Sequence, residues 1–162
     1  MTYDLYRTGF VQRYAQNPEM AWTGQTLGHH QWGVTVLLLR LFGDKVNLAV
    51  VWEALHHDTG EMGSCDASYP AKQRHPAMAA AIREAETVER VEMGVCEAVL
   101  TENETAMVKL CDRLESYLYA SVRTPWVLER DGWPELRATI EGSAFALDVG
   151  GEVAALLKEA GV

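Results

Sequence analysis

The sequence predicts an all-α protein. Apolar residues recur every three or four positions along most of the 162 residues, and the strict alternation that marks a half-buried strand is absent. Glycine, proline and helix-capping residues fall between these periodic segments. No repeat, linker or low-complexity tract divides the chain, so we expect a single domain over residues 1–162 with a substantial core.

Two helices joined by a loop are predicted for the N-terminal part. Apolar residues at near-helical spacing indicate a first helix over Tyr3–Ala15, which an Asn-Pro pair then ends. A loop over Pro18–Gln25 is expected to expose Trp22. The second helix is predicted to start after Thr26 as its N-cap and to stop at Phe42, before a glycine.

The middle of the chain predicts a third helix, an irregular loop and a long fourth helix. The third helix starts near Asn47, and its apolar stripe continues to Asp58. Glycines then loosen the backbone, and an irregular loop is expected over Gly63–Gln73. The fourth helix is predicted over Pro76–Leu100, because proline is favoured in the first turn of a helix.

The C-terminal part predicts three further helical segments. Thr101–Glu104 has the pattern of a capping box, and a helix is expected to follow it over Glu104–Arg123. A short helix is predicted around Trp126–Arg130. The last helical region runs from Glu135 to Ala160, with Gly150-Gly151 as the candidate break.

Charge and cysteine content exclude several classes of protein. The formal net charge of −9 argues against a binder of nucleic acid polymers, because such proteins neutralise phosphates with Lys and Arg. No run of 18 apolar residues and no signal-like N-terminus occurs, so we expect a cytoplasmic protein without a membrane span. The three cysteines, Cys65, Cys96 and Cys111, lack CxxC spacing and are predicted to be free thiols.

Four polar residues are predicted to face the core from three separate helices. His30 continues the apolar stripe of the second helix, His57 and Asp58 end the third, and Asp112 lies at the inner edge of the helix over 104–123. Each alone is more often a hydrogen-bonded or solvated residue. Together they would be costly to bury without a shared partner, and imidazoles with carboxylates suit Mn²⁺, Fe²⁺, Co²⁺, Ni²⁺ or Zn²⁺. His29 competes with His30 as the ligand, although the stripe favours His30.

In this order, His30, His57-Asp58 and Asp112 resemble the H…HD…D pattern of the HD-domain phosphohydrolases. The chain is most similar to the bacterial 5′-deoxynucleotidase branch of that family. In that branch an Arg-aromatic pair precedes the first His, a Glu follows the HD pair after two residues, and an Asp-x-x-x-Pro-x-Lys segment comes next. The corresponding residues here are Arg13-Tyr14, Glu61 and Asp66 to Lys72. The match extends from about residue 7 to 123.

Two features depart from this pattern. His29 stands where an acidic residue is usual, and Gln31 where Ser is common. The chain is also short, like the phage-encoded relatives, some of which are deoxynucleoside triphosphohydrolases that include dATP-specific enzymes. A phage origin would place the protein in the host cytoplasm.

The resemblance implies an HD-domain helical bundle that hydrolyses a deoxynucleotide at its α-phosphate. It implies a divalent metal (Co, Mn, Zn, Fe, Ni or Mg) held by His30, His57, Asp58 and Asp112. The substrate would be a dNMP or a dNTP, and the products a deoxynucleoside with phosphate or triphosphate. Such an ion lowers the pKa of bound water and polarises a phosphoryl oxygen.

The remaining predicted site residues contact the substrate or move protons. Arg13 would clamp the phosphate as a planar fork, and Lys72 would add a second positive contact. Tyr14 or Trp22 would stack on the base. The two predicted catalytic carboxylates are Glu61, which would orient the attacking water or take its proton, and Asp66, which would protonate the leaving 5′-oxygen or hold the sugar hydroxyl.

Two rival functions stay open. One keeps the metal but replaces the substrate with an alarmone or a cyclic nucleotide. The other is a non-catalytic module that senses a nucleotide. A homo-oligomer is also expected, because relatives are often dimers or larger and Trp126, Trp133 and the C-terminal helices offer apolar contact surface.

Overall fold

A computed structural model describes residues 2–64 and 69–162. The described residues are mainly helical and contain no β-strand, which confirms the all-α prediction. A single isolated β-bridge joins Gln12 to Thr26 within these ranges. None of the described helices is both long enough and apolar enough to cross a membrane.

Helices of very different length follow one another along the described chain. In order they are α1 (Thr2–Thr8), α2 (Leu27–Phe42), α3 (Leu48–His56), α4 (Glu61–Ser64), α5 (Tyr69–Arg74), α6 (Pro76–Glu92), α7 (Glu102–Arg123), α8 (Trp133–Ala146) and α9 (Gly150–Glu159). Three 3-10 segments lie between them, over Ala21–Thr23, Gly43–Lys45 and Pro125–Glu129.

Contacts between residues divide the chain into two compact units. The first unit contains Met1–Gln31 and His56–Glu97, and the second contains Trp32–Leu55 and Ala98–Val162. Within the first unit, α4 and α5 pack on α6. Within the second, α7 packs on α8 and α8 packs on α9. The prediction of a single domain stays a prediction.

The inner face of α7 supplies much of the apolar core of the second unit. As the sequence predicts, Met107, Leu110 and Leu114 are at most 1% exposed. One turn further along, the ring of Tyr117 lies 6.2 Å from the ring of Trp133 at the start of α8. Burying large side chains of this kind contributes about 1.5–3 kcal/mol each to the free energy of unfolding.

The cysteines within the described ranges are free thiols, as predicted. Cys96 is exposed and Cys111 is buried, whereas Cys65 lies outside the described residues. Burial raises the pKa of Cys111 to about 12, and the neighbouring charge of Asp112 adds to this effect. Cys111 is therefore a packing residue of low reactivity.

The first helix is shorter than predicted, because it ends at Thr8 and not at Ala15. Residues 9–13 leave the helical path and pair through their backbone with residues 25–28, in hydrogen bonds of 2.9 to 3.1 Å. A Cβ atom on Gly28 would lie only 3.0 Å from the carbonyl oxygen of this opposing segment. Backbone groups that make these long-range bonds are not available to extend α1.

The prediction of a helix over Pro76–Leu100 is wrong at its C-terminal end. α6 ends at Glu92, and Gly94 follows with a φ of +75°. The backbone N–H of Val95 donates back to Arg90 over 2.9 Å, which is the closing bond of a Schellman motif. This glycine, in the left-handed region, is the physical reason for the earlier stop.

Two further boundaries differ from the prediction. The segment Gly63–Gln73, expected to be an irregular loop, contains part of α4 and most of α5. The break near the C-terminus falls at residues 147–149, where Asp148 has a φ of +59°. The paired glycines at 150 and 151 consequently begin α9, and they do not interrupt a helix.

The predicted helix caps are confirmed. The hydroxyl of Thr26 accepts a hydrogen bond from the backbone N–H of His29 at 3.3 Å, at the start of α2. Thr101 and Glu104 form a reciprocal capping box at the start of α7.

The Glu104 carboxylate also accepts a hydrogen bond of 2.6 Å from the side-chain amide of Asn47. The side-chain oxygen of Asn47 in turn accepts a hydrogen bond from the backbone N–H of Val50 and so caps α3. One carboxylate therefore supports two helix starts within the second unit.

Stability should depend on pH through Glu104. The Thr101 backbone N–H, then the Thr101 hydroxyl and the Asn47 amide, hold the pKa of Glu104 below its ordinary value of 4.5. Because the folded-state pKa is the lower one, this contribution is present above the unfolded pKa and is lost as pH falls through the folded pKa. Glu104→Ala should melt below wild type at about pH 7, and the gap should close in acid, once the pH is below the lowered pKa of Glu104.

The matched control is Glu102→Ala, in the same first turn of α7 but outside the capping box. Its melting temperature should stay nearer to wild type at neutral pH. A gap for Glu104→Ala that is equally wide at neutral and acidic pH would contradict this role of the carboxylate.

Candidate metal centre

Three predicted ligand atoms converge within the first unit. Nε2 of His30 lies 3.3 Å from Nε2 of His57, and Oδ2 of Asp58 lies 3.5 Å and 3.4 Å from these two nitrogens. The atoms form a nearly equilateral triangle, and the two imidazole rings are inclined by 63°. These three residues can hold a metal ion.

The size of this triangle fits a coordinated divalent ion. Bonds of about 2.0–2.2 Å to nitrogen or oxygen, at angles between octahedral and tetrahedral, place neighbouring ligand atoms roughly 2.8–3.6 Å apart. All three measured separations fall in that range. Two imidazoles and one carboxylate are ligands typical of Zn²⁺ and of Fe²⁺, Mn²⁺, Co²⁺ or Ni²⁺. Lone pairs that converge so closely need a proton or a cation between them.

The first turn of α2 places His30 in the three-residue group. Thr26 caps the helix, and the backbone N–H of His30 completes the first turn on the Thr26 carbonyl at 3.0 Å. His30 is fully buried, whereas its neighbour His29 is exposed. His30, and not His29, therefore belongs to the three-residue group, on the side of the helix that the apolar stripe indicates.

A tight turn after α3 carries the other two ligands. The backbone N–H of Thr59 donates to the His56 carbonyl at 3.1 Å, and that of Glu61 donates to Asp58 at 3.0 Å. Gly60 sits directly against the backbone of α6, because a Cβ atom there would lie 2.6 Å from the Cα atom of Glu86. The glycine two residues after the His-Asp pair therefore lies where this turn closely approaches α6.

Glu61, a predicted catalytic residue, is close to the ligand turn in sequence and in fold. It is the first residue of α4, and only 7% of its surface is exposed. Its backbone hydrogen bond to Asp58 ties it to the same turn. The role of Glu61 as a general base stays a prediction.

Arg13 is the last residue of the segment that pairs with residues 25–28, and Tyr14 follows it. The Arg13 backbone N–H donates to Gln25 at 2.9 Å, and its guanidinium donates to the Gln25 side chain at 3.2 Å. The guanidinium also lies over the ring of Tyr14, 5.0 Å from the ring centre. Arg13 is thus anchored to a residue five positions before His30.

The other two predicted substrate residues are placed as follows. Trp22 is 59% exposed, as predicted, and its indole N–H donates to the Glu19 carbonyl at 2.8 Å. Lys72 lies on α5, where its ammonium is 4.0 Å from the carboxylate of Glu86 on α6. The roles of both residues in substrate binding stay predictions.

Asp66 and Asp112 are not part of this three-residue group as described. Asp66 falls outside the described residues. Asp112 is a half-buried residue of α7, in the second unit. Its assignment as a fourth ligand stays a prediction.

Sequence reasoning missed two residues that support this region. Gln25 is 1% exposed and holds Arg13, but a single Gln at the end of a loop gives no sequence signal. Glu86 lies in the middle of α6, where it resembles any solvated acidic residue. Its contact with Lys72 and its backbone contact with Gly60 are visible only in three dimensions.

Comparisons with protein-family models, with curated proteins and with solved structures find no match to this chain. The geometry of the His30, His57 and Asp58 group is consequently the main structural basis for a function.

Binding of a divalent ion should stabilise the protein through this group. At a free ion concentration of about 100 times Kd, Mn²⁺, Co²⁺ or Zn²⁺ should raise the melting temperature by roughly 5–10 °C. His57→Ala and Asp58→Asn should lose this shift, whereas His29→Ala should keep it because His29 is exposed. Equal shifts for His57→Ala and His29→Ala would contradict the assignment.

Gly60→Ala should weaken both the fold and the metal centre. The added methyl group collides with the backbone of α6, and overpacking of this kind costs about 1–3 kcal/mol. The melting temperature should fall by several degrees, and the affinity for Mn²⁺ should fall because the displaced turn carries two ligands. The matched control is Gly142→Ala in α8, where a Cβ atom meets no atom within 4 Å and alanine should stabilise the helix. A Gly60→Ala protein as stable as wild type would contradict this account of the turn.

Proposed function

We propose that this protein is a divalent-metal-dependent phosphohydrolase that acts on small deoxynucleotides, either dNMP or dNTP. The observation that carries the proposal is the triangle of His30 Nε2, His57 Nε2 and Asp58 Oδ2, with sides of 3.3 to 3.5 Å. Three protein ligands leave coordination positions open for water and for a substrate oxygen.

The ligand set alone does not select a hydrolase. Two histidines and one carboxylate also serve in iron oxygenases and in zinc peptidases. The surrounding residues support phosphoryl chemistry, because Arg13 and Lys72 supply positive charge to the same compact unit. The resemblance of these residues to the HD-domain deoxynucleotidases supports the substrate class.

In the proposed reaction, water attacks the α-phosphorus and the bond from that phosphorus to the 5′-oxygen breaks. The bound ion would lower the pKa of water and polarise a phosphoryl oxygen. Glu61 would take the proton of the attacking water, and Asp66 is the proposed donor to the leaving oxygen. Arg13, held by Gln25, would orient the phosphate as a planar donor. Asp112 is the proposed fourth ligand.

The test is an assay of the purified chain with Mn²⁺, Co²⁺ or Mg²⁺ against each dNMP, each dNTP and the matching ribonucleotides. We expect release of the deoxynucleoside together with phosphate from dNMP or tripolyphosphate from dNTP. Glu61→Gln should lower kcat by roughly 10²–10⁴-fold while keeping the metal-induced thermal shift. Glu92→Gln, an exposed residue at the end of α6, is the control and should leave kcat unchanged.

The outcomes separate the rival functions. Turnover of an alarmone or a cyclic nucleotide in place of deoxynucleotides would contradict the proposed substrate class but support a metal-dependent hydrolase. Nucleotide binding without turnover of any of these compounds, in a protein loaded with metal, would contradict the hydrolase and favour the sensing module.

A further inference from the structure

Thr59, the residue directly after Asp58, has a buried hydroxyl group without a hydrogen-bond partner in the part of the chain that the structure describes. The residue is 1% exposed, and its Oγ1 atom makes no hydrogen bond to any residue within 2–64 or 69–162. Its backbone is satisfied, since the N–H donates to His56 and the carbonyl accepts from Met62 at 3.4 Å. A buried hydroxyl without a partner is rare in native proteins, because it loses its hydrogen bonds to water on folding.

The turn that carries Thr59 has little freedom to move towards a partner. Gly60 touches the backbone of α6, and the hydrogen bond from Glu61 to Asp58 closes the turn on its other side. A hydroxyl can rotate about its C–O bond to either donate or accept, but it cannot cross several ångströms. An oxygen atom that enters with a ligand would satisfy the hydroxyl without such a movement.

We propose that the Thr59 hydroxyl is a positioning group of the metal centre, which hydrogen-bonds an oxygen atom that enters together with the divalent ion. This inference rests on the proposed metal centre formed by His30, His57 and Asp58. The oxygen belongs either to water carried by the ion or to a phosphate bound beside it. Groups that hydrogen-bond around a metal centre fix the orientation of its ligands and contribute to metal affinity.

The test compares Thr59→Val, which keeps the shape of the side chain and removes the hydroxyl, with Thr8→Val. Thr8 is a suitable control because it is also buried in the first unit, at 3% exposed, but its hydroxyl donates to the Leu5 carbonyl at 2.7 Å. Two quantities are measured for each protein: the melting temperature without metal, and the Kd for Mn²⁺ by titration calorimetry.

We expect opposite behaviour from the two variants. Without metal, Thr59→Val should melt at or above the wild-type temperature, because it removes an unsatisfied group, and Thr8→Val should melt below it. With Mn²⁺, Thr59→Val should bind about tenfold more weakly or worse, while Thr8→Val should bind as wild type. Thr59→Ser, which keeps the hydroxyl, should retain most of the wild-type affinity.

Titration with and without inorganic phosphate distinguishes the two sources of the oxygen. A defect of Thr59→Val with Mn²⁺ alone assigns the oxygen to water, and a defect that requires phosphate assigns it to the phosphate. Wild-type affinity of Thr59→Val under both conditions would overturn the inference, as would destabilisation of its metal-free form like that of Thr8→Val. If wild type itself binds no Mn²⁺, the metal centre fails and this inference fails with it.

Discussion

Two imidazole nitrogens and a carboxylate oxygen within 3.5 Å of one another form an arrangement that a folded chain does not keep without a cation or a proton. When both Nε2 atoms are unprotonated, all three atoms present lone pairs to the same small volume, and burial of His30 removes the water that would otherwise screen them. A divalent ion relieves this repulsion at all three atoms at once. The rest of the first unit supports the positions of these three side chains.

Backbone contacts fix the two segments that carry the ligands. The pairing of residues 9–13 with residues 25–28 includes the first two residues of α2, so it helps to set the position of His30 and also ties Arg13 to the same region. On the other side, Gly60 allows the turn with His57 and Asp58 to lie directly on α6. Both backbone contacts depend on a glycine, Gly28 in the first and Gly60 in the second, because a side chain there would separate the two backbones.

Local signals in the sequence predicted the helices whose ends are fixed by local chemistry. Thr26 and Thr101 mark helix starts, because a capping hydroxyl acts within one turn. The stripe that includes His30, and the His-Asp pair at the end of α3, likewise predicted the ligands that converge. The early end of α1 was not predictable, because it results from pairing with a segment more than ten residues away. The partners of Arg13 and Gly60 depend on the same kind of long-range contact.

X-ray absorption spectroscopy of the protein loaded with one equivalent of Co²⁺ or Zn²⁺ tests the central claim most directly, because it reports the atoms bound to the ion. The geometry predicts a first shell of nitrogen and oxygen only, with the multiple-scattering signature of two imidazoles at about 2.0–2.1 Å. The spectrum of His57→Ala should show one imidazole fewer bound to the ion. A shell that contains sulfur, or one with no imidazole, would contradict a metal centre at His30, His57 and Asp58.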